Sequence, residues 1–277
     1  MPASVERGDL TSGSDRPGRS DPLDRLDSVE IKVTFSGAGA AAATRALAPD
    51  IGGARRRVYF CEALARSTAP GHLPLLDAGL ILRLRAGSGR VGAVTAELRP
   101  CRRSRLSERW LRFREQGPDS FRLADTWSGD RRVLSATLVS DCDRTAVEAA
   151  AAGAASLSSV FSARQQAFLA DCADVRADLD ALTLLGPVRT VSWRDVRIDH
   201  HAVVLKYGSL RGYGSGNGYG RGSGALDWLE ASERVAPEGA EVVQASLTAL
   251  LEERGLEPDL GPVATTRRVL ETLARDA

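Results

Sequence analysis

Arginine, lysine and glutamate recur at every second position of several short apolar segments, a spacing that gathers charge on one face of a β-strand. In SVEIKVTF, residues 28–35, Val29, Ile31, Val33 and Phe35 point one way and Ser28, Glu30, Lys32 and Thr34 the other. GLILRLRA sets Leu80, Leu82 and Leu84 against Ile81, Arg83 and Arg85. VGAVTAELRP sets Thr95, Glu97 and Arg99 against Val94, Ala96 and Leu98. Arg122, Lys206 and Glu230 extend the pattern in later segments. Arginine presents forked donors and lysine a point charge, so such a face suits an oxygen-rich anion. A charged face can also be an outer surface whose opposite charges relieve one another.

The two readings separate on whether the sheet closes. In a closed barrel Lys32, Arg83, Arg85, Arg99, Arg122, Lys206, Glu30 and Glu230 would crowd into one lumen. Burying such charges costs several kcal/mol per ion unless they are compensated, so closure predicts an anionic occupant, which glutamates and a divalent cation could help to hold.

The elements that would position these residues can be read along the chain. Residues 1–25 are rich in Gly, Ser, Pro and Asp and read as a disordered tail, leaving 26–277 as one domain. GAGAAAATRALA is an alanine-rich helix candidate, and RRRVYFCEA a strand. SFRLADTW and RRVLSATLVS pair through the turn at Ser128–Asp130, and a helical block follows. TAVEAAAAGAASLSSVF leads into a second helix that is capped by Ser162 and expected to run to about Leu182. VRTVSWRDVRIDHHAVVLKY holds one or two strands and ALDWLEASERV another. Two helices close the chain, one stopping at Gly255 and one from about Pro262 to Asp276. Strands with inserted rather than alternating helices indicate an antiparallel α+β domain.

Composition sets limits on function. With 37 basic and 36 acidic residues in 277, no global charge draws nucleic acid or an anionic membrane. No apolar run reaches the length of a membrane span and no secretory signal is evident, so a cytoplasmic protein is expected. Cys61, Cys101, Cys142 and Cys172 are too scattered for a zinc knuckle and read as reduced thiols. His200 and His201 are neighbours that a strand would point to opposite sides, and His72 stands alone, so no histidine metal or triad site is expected.

The order of these segments resembles the CYTH family of triphosphate tunnel metalloenzymes, which includes thiamine triphosphatases, inorganic triphosphatases and some adenylate cyclases. Glu30-Ile31-Lys32 matches part of the family's opening Glu-x-Glu-x-Lys, RRRVYFCEA and AGLILRLRAG are similar to its next strands, and TAELRP, FSARQQAFLA, LDWLEASERV and LEERGL follow in order. The resemblance implies an eight-stranded antiparallel tunnel with flanking helices, in which a small-molecule triphosphate or nucleotide is held with Mg²⁺ or Mn²⁺. It implies Glu30 and Lys32 as catalytic, Glu30, Glu230 and Glu97 as metal-side carboxylates, and Arg83, Arg85, Arg99, Arg122 and Lys206 as substrate clamps. The chain departs from the pattern at Ser28, Glu97, Ala124 and Thr265. Fewer carboxylates leave fewer of the six oxygens that Mg²⁺ favours.

Three functions therefore stand open: a divalent-metal-dependent triphosphate hydrolase, an anion-binding module whose catalysis has eroded, and a tunnel enzyme turned to another substrate. Each leaves room for an oligomer. The tract GSLRGYGSGNGYGRGSG, residues 208–224, is either a flexible hairpin connection or a lid bearing Arg211, Tyr213, Tyr219 and Arg221.

Overall fold

The computed structural model describes residues 24–49, 51–210, 226–259 and 264–277. Its strands are β1 (Ser28–Ser36), β2 (Ala54–Glu62), β3 (Leu80–Gly87), β4 (Val91–Leu98), β5 (Glu115–Gln116), β6 (Asp119–Ser128), β7 (Arg131–Asp143), β8 (Thr183–Ile198), β9 (His201–Leu210) and β10 (Leu226–Val235). The sheet runs β1-β10-β9-β8-β2-β3-β4-β7-β6, and β6 pairs with β1 to close a barrel, while the two-residue β5 hangs on β6 outside the ring.

The barrel corrects the expected eight antiparallel strands: nine close the ring, and they are mixed. The segment read as one or two strands forms two, β8 and β9. Strand directions that alternate around a ring return in phase only for an even number, so a ninth strand forces one parallel junction. That junction is β1 with β6, where Ser28 lies opposite Ala124 and Ile31 opposite Trp127. The other junctions are antiparallel.

The apolar faces turn outward beneath helices, so the polar faces turn in. Val29, Ile31 and Phe35 pack with Leu205 and Leu229 under helices Gly37–Leu47 and Ala240–Glu253. Around the ring, Leu80, Leu82 and Leu84 pack with Trp110, Phe121 and Phe168, the last from helix Ala163–Cys172. Each fully buried side chain of this size contributes roughly 1.5–3 kcal/mol. Gln165 anchors that helix, donating through Nε2 to the carbonyls of Val94 at 2.9 Å and Leu138 at 3.2 Å.

Three expectations about boundaries shift. Ser162 does cap its helix, in a reciprocal box with Gln165. The helix ends at Cys172 instead of Leu182: Ala173 turns extended, and Asp174 beyond it pairs with Arg105 at 2.8 Å. The preceding alanine-rich helix, Arg144–Ala151, stops before Gly153 at φ +71° and resumes as one turn at Leu157–Val160. Arg25, assigned by composition to the tail, is buried. Its guanidinium grips Asp27 with two bonds of 2.7 Å and donates to the carbonyls of Leu111 at 2.8 Å and Phe113 at 2.6 Å. The rest of the expected tail, residues 1–23, lies outside the described residues. Of the glycine-rich tract, Gly208–Leu210 belong to β9 and 211–225 lie outside the described residues, so the lid reading falls there. The last helix, expected from Pro262, is described over Thr265–Arg275.

Candidate functional site

β3 delivers Arg83 and Arg85 to the lumen because its leucines claim the outer face. Across the β3–β4 ladder Ile81 faces Glu97 and Arg83 faces Thr95, so Arg83 reaches diagonally to pair Nη2 with Glu97 Oε2. Arg99 Nη1 lies 3.8 Å from the other Glu97 oxygen. Arg85 Nη2 donates to Thr95 Oγ1 at 3.0 Å. On the far wall Lys206 stands opposite Glu230, and Lys32 reaches the same carboxylate from β1. Both ammonium nitrogens lie 3.8 Å from Glu230 Oε2.

These groups share one interior. The charge of Arg83 on β3 bears on Glu230 of β10, four strands away around the ring, and that of Lys32 bears on Glu97. Lys32, Arg83, Arg85, Arg99 and Lys206 thus face two carboxylates, and the buried Nε of Arg83 has no acceptor among the described residues.

The titration of each group records this imbalance. Burial alone would raise the Glu230 carboxyl, but Lys32, Lys206, Arg99 and Arg83 overcome it and hold it at about 2. Burial works the same way on Glu97, where Arg83, Arg99, Lys32 and Arg85 bring it below the usual carboxylate range. Burial, with Arg83 and Arg56 adding, pushes Arg85 down to about 10, against the pull of Glu97. Lys206 is lowered by burial first; Glu230 opposes the shift, while Lys32, Arg83 and Arg85 reinforce it. Its side chain is 40% exposed, so the lumen around it admits water and the desolvation is partial. A polyanion would relieve the surplus of positive charge.

A cavity of about 440 Å³ opens beside this cluster. Lys32, Arg99 and Glu230 line it together with the β6–β7 turn and the start of helix Thr265–Arg275. Arg268 of that helix donates to Ser36 Oγ at 3.0 Å and Asp259 Oδ2 at 2.9 Å, which ties the helix to the end of β1. Val269 and Leu270 sink among the inward-facing Val58, Phe60, Ile81 and Trp228, so apolar packing fills part of the lumen. Gly208 stands opposite Trp228, and a Cβ there would come within 2.1 Å of the indole.

Not every expected residue joins the inner cluster. Glu30 lies 4.0 Å from Arg234, and the exposed Arg122 feels Arg234, Asp27 and Glu30. The two form a separate group on the β1, β6 and β10 wall. The carboxylates expected to hold metal do not fit one: Glu97 and Glu230 are each held by two cations, Glu30 stands with Arg234, and the described residues contain no group of three or more metal-ligating side chains. Ser28 and Ala124, where the resemblance calls for carboxylates, face each other across the parallel junction, and the buried Ser28 Oγ has no partner among the described residues. Thr95, Arg234 and Arg268 escaped the sequence reading as site residues. Alternation with Glu97 and Arg99 marked the face of Thr95, but Arg268 sits on a helix whose docking no local pattern reveals.

No protein-family model matches the chain, and no curated protein matches it in sequence. Solved structures do. HpAC1 of Hippeastrum, assigned as an adenylyl cyclase and described as having a dominant triphosphatase activity, aligns at TM-score 0.52 and 16% identity over 86% of this chain and 92% of its own. PH1819 of Pyrococcus horikoshii OT3 aligns at TM-score 0.41 and 10% identity over 87% of this chain and 98% of its own. PH1012 of the same organism aligns at 0.35 and 14%, over 83% and 96%. At such identities the likeness is one of fold, and it rests on the first of the three: this chain shares the closed α+β barrel of HpAC1.

Proposed function

We propose that the barrel binds the triphosphate group of an inorganic or organic triphosphate, clamped by Lys32, Arg83, Arg85, Arg99 and Lys206. The observation that carries this reading is the charge around two lumen carboxylates: among the described residues, Lys32, Arg83, Arg85, Arg99 and Lys206 bear on Glu97 and Glu230 beside a 440 Å³ cavity. Guanidinium forks and ammonium points complement phosphoryl oxygens, and the carboxylates serve as counterions that hold the clamp in shape.

Calorimetric titration of tripolyphosphate into the wild type and Arg85→Ala tests the reading. Arg85 bonds to the neutral Thr95, so its removal strands no buried partner charge and the variant should fold. Loss of about one phosphate contact predicts at least about tenfold weaker binding. Equal affinity in the two proteins would refute the site.

A second reading is hydrolysis of the bound triphosphate, favoured by the fold shared with HpAC1. The same cations would stabilise charge on the transferring phosphoryl group. Phosphate release from tripolyphosphate, lost in Lys206→Ala, is the expected result. No release at high protein concentration would leave binding as the function.

A further inference from the structure

The outer surface of the barrel carries a second cluster, unconnected to the lumen. Asp199 adopts φ +55° in the β8–β9 turn, which breaks strand alternation. His200 and His201 therefore emerge side by side, contrary to the opposite facing expected of neighbours in a strand, with ring centroids 4.2 Å apart. Both Nε2 atoms converge on one hydroxyl, Ser246 Oγ of helix Ala240–Glu253, at 3.0 Å for His200 and 3.1 Å for His201. Each Nδ1 meets a carboxylate: Asp199 Oδ2 at 2.9 Å for His200 and Glu233 Oε2 at 2.6 Å for His201.

Where the carboxylates take the Nδ1 protons, both Nε2 atoms are left as acceptors toward one Ser246 hydroxyl, whose single hydrogen serves one of them. Two imidazole nitrogens thus converge on one point that a cation can occupy. Imidazoles whose far nitrogens are held by carboxylates are the usual preparation for a metal.

We propose that His200 and His201 bind one divalent transition-metal cation of the Zn²⁺ class through their Nε2 atoms, with Asp199 and Glu233 as positioning residues. Imidazole pairs select Zn²⁺, Ni²⁺ and Cu²⁺ over Mg²⁺. Two protein nitrogens coordinate, and the Ser246 oxygen and water complete the shell. The His200 side chain is 65% exposed, which gives the ion a path, while His201 is buried. The other soft ligands of the chain are His72, the half-buried Cys142 and the buried Cys61, Cys101 and Cys172.

The test is calorimetric titration of Zn²⁺ into EDTA-stripped, full-length protein without any phosphate. The wild type should saturate at one ion per chain. His200→Asn, at an exposed position that leaves the fold intact, should lose at least about tenfold in affinity, Glu233→Gln a similar amount, and His72→Asn none. Ser246→Ala should still bind, since the rings remain. Absence of saturable binding, or equal affinity in His200→Asn, would overturn the proposal.

Discussion

Lys206 and Glu230 face each other directly across the β9–β10 ladder, and their charged atoms stand 3.8 Å apart inside the barrel. With Lys32 at the same distance, this carboxylate is held at about 2 against an ordinary 4.5. A depressed value means that the ionised form stabilises the fold above pH 4.5, and that the contribution, on the order of 3 kcal/mol, fades as pH falls toward 2. Glu230→Gln should therefore lower stability at pH 7 and flatten its fall between pH 5 and 2. Urea unfolding of both proteins at several pH values measures this, and an unchanged pH dependence in the variant contradicts it.

Arg83 and Glu97 make a buried pair whose value lies in its completeness. Arg83→Met leaves Glu97 with Arg99, at 3.8 Å, as its nearest cation and should cost roughly 3–5 kcal/mol. Adding Glu97→Leu should recover a large part of that loss, because an apolar pair replaces a stranded charge. Chemical denaturation of the two single variants and the double variant gives the coupling directly. Simple additivity would show that the two side chains do not depend on each other.

Tripolyphosphate should bind in excess EDTA as well as without it, because Glu97 and Glu230 are already engaged by cations. Excess Mg²⁺ should weaken binding by occupying phosphate oxygens, and added NaCl should weaken it by screening. Thermal-shift titrations under the three conditions suffice. Binding that appears only with Mg²⁺ would show that the lumen carboxylates do take up metal.

Gly208 leaves its place to the ring of Trp228, with which a Cβ would collide at 2.1 Å. Gly208→Ala should destabilise by about 1–3 kcal/mol through overpacking. Combined with Trp228→Phe, it should cost less than the sum of the two single changes. A tolerated alanine, with unchanged melting temperature, would mean the indole is free to move.

Local periodicity revealed much of this molecule. The leucines of β3 announced an outer face and its arginines an inner one, and the structure joins Arg83 and Arg85 to Lys32, Arg99 and Lys206. Closure was harder to see, since the β1–β6 junction is set by residues far apart in sequence and its parallel sense depends on the strand count. Glu30 and Arg122 have the right period but lie on a different stretch of wall, a matter of strand stagger that alternation does not encode. His200 and His201 do not face opposite sides because alternation holds only within a strand: His200 lies in the turn after Asp199, and β9 begins at His201. The helix ends at Cys172, where Ala173 turns extended and the chain meets Arg105 through Asp174, a contact distant in sequence that no propensity contains.

The seam between β1 and β6 carries a consequence for biogenesis. β1 is flanked by β6 on one side and by β10, ending at Val235, on the other. On the ribosome the first strand must therefore wait for the last described strand, one of its edges unmet while most of the protein is made. Such long-range pairing slows folding and leaves half-made sheets sticky. Nascent chains that stall before β10 emerges should be the form that chaperones hold.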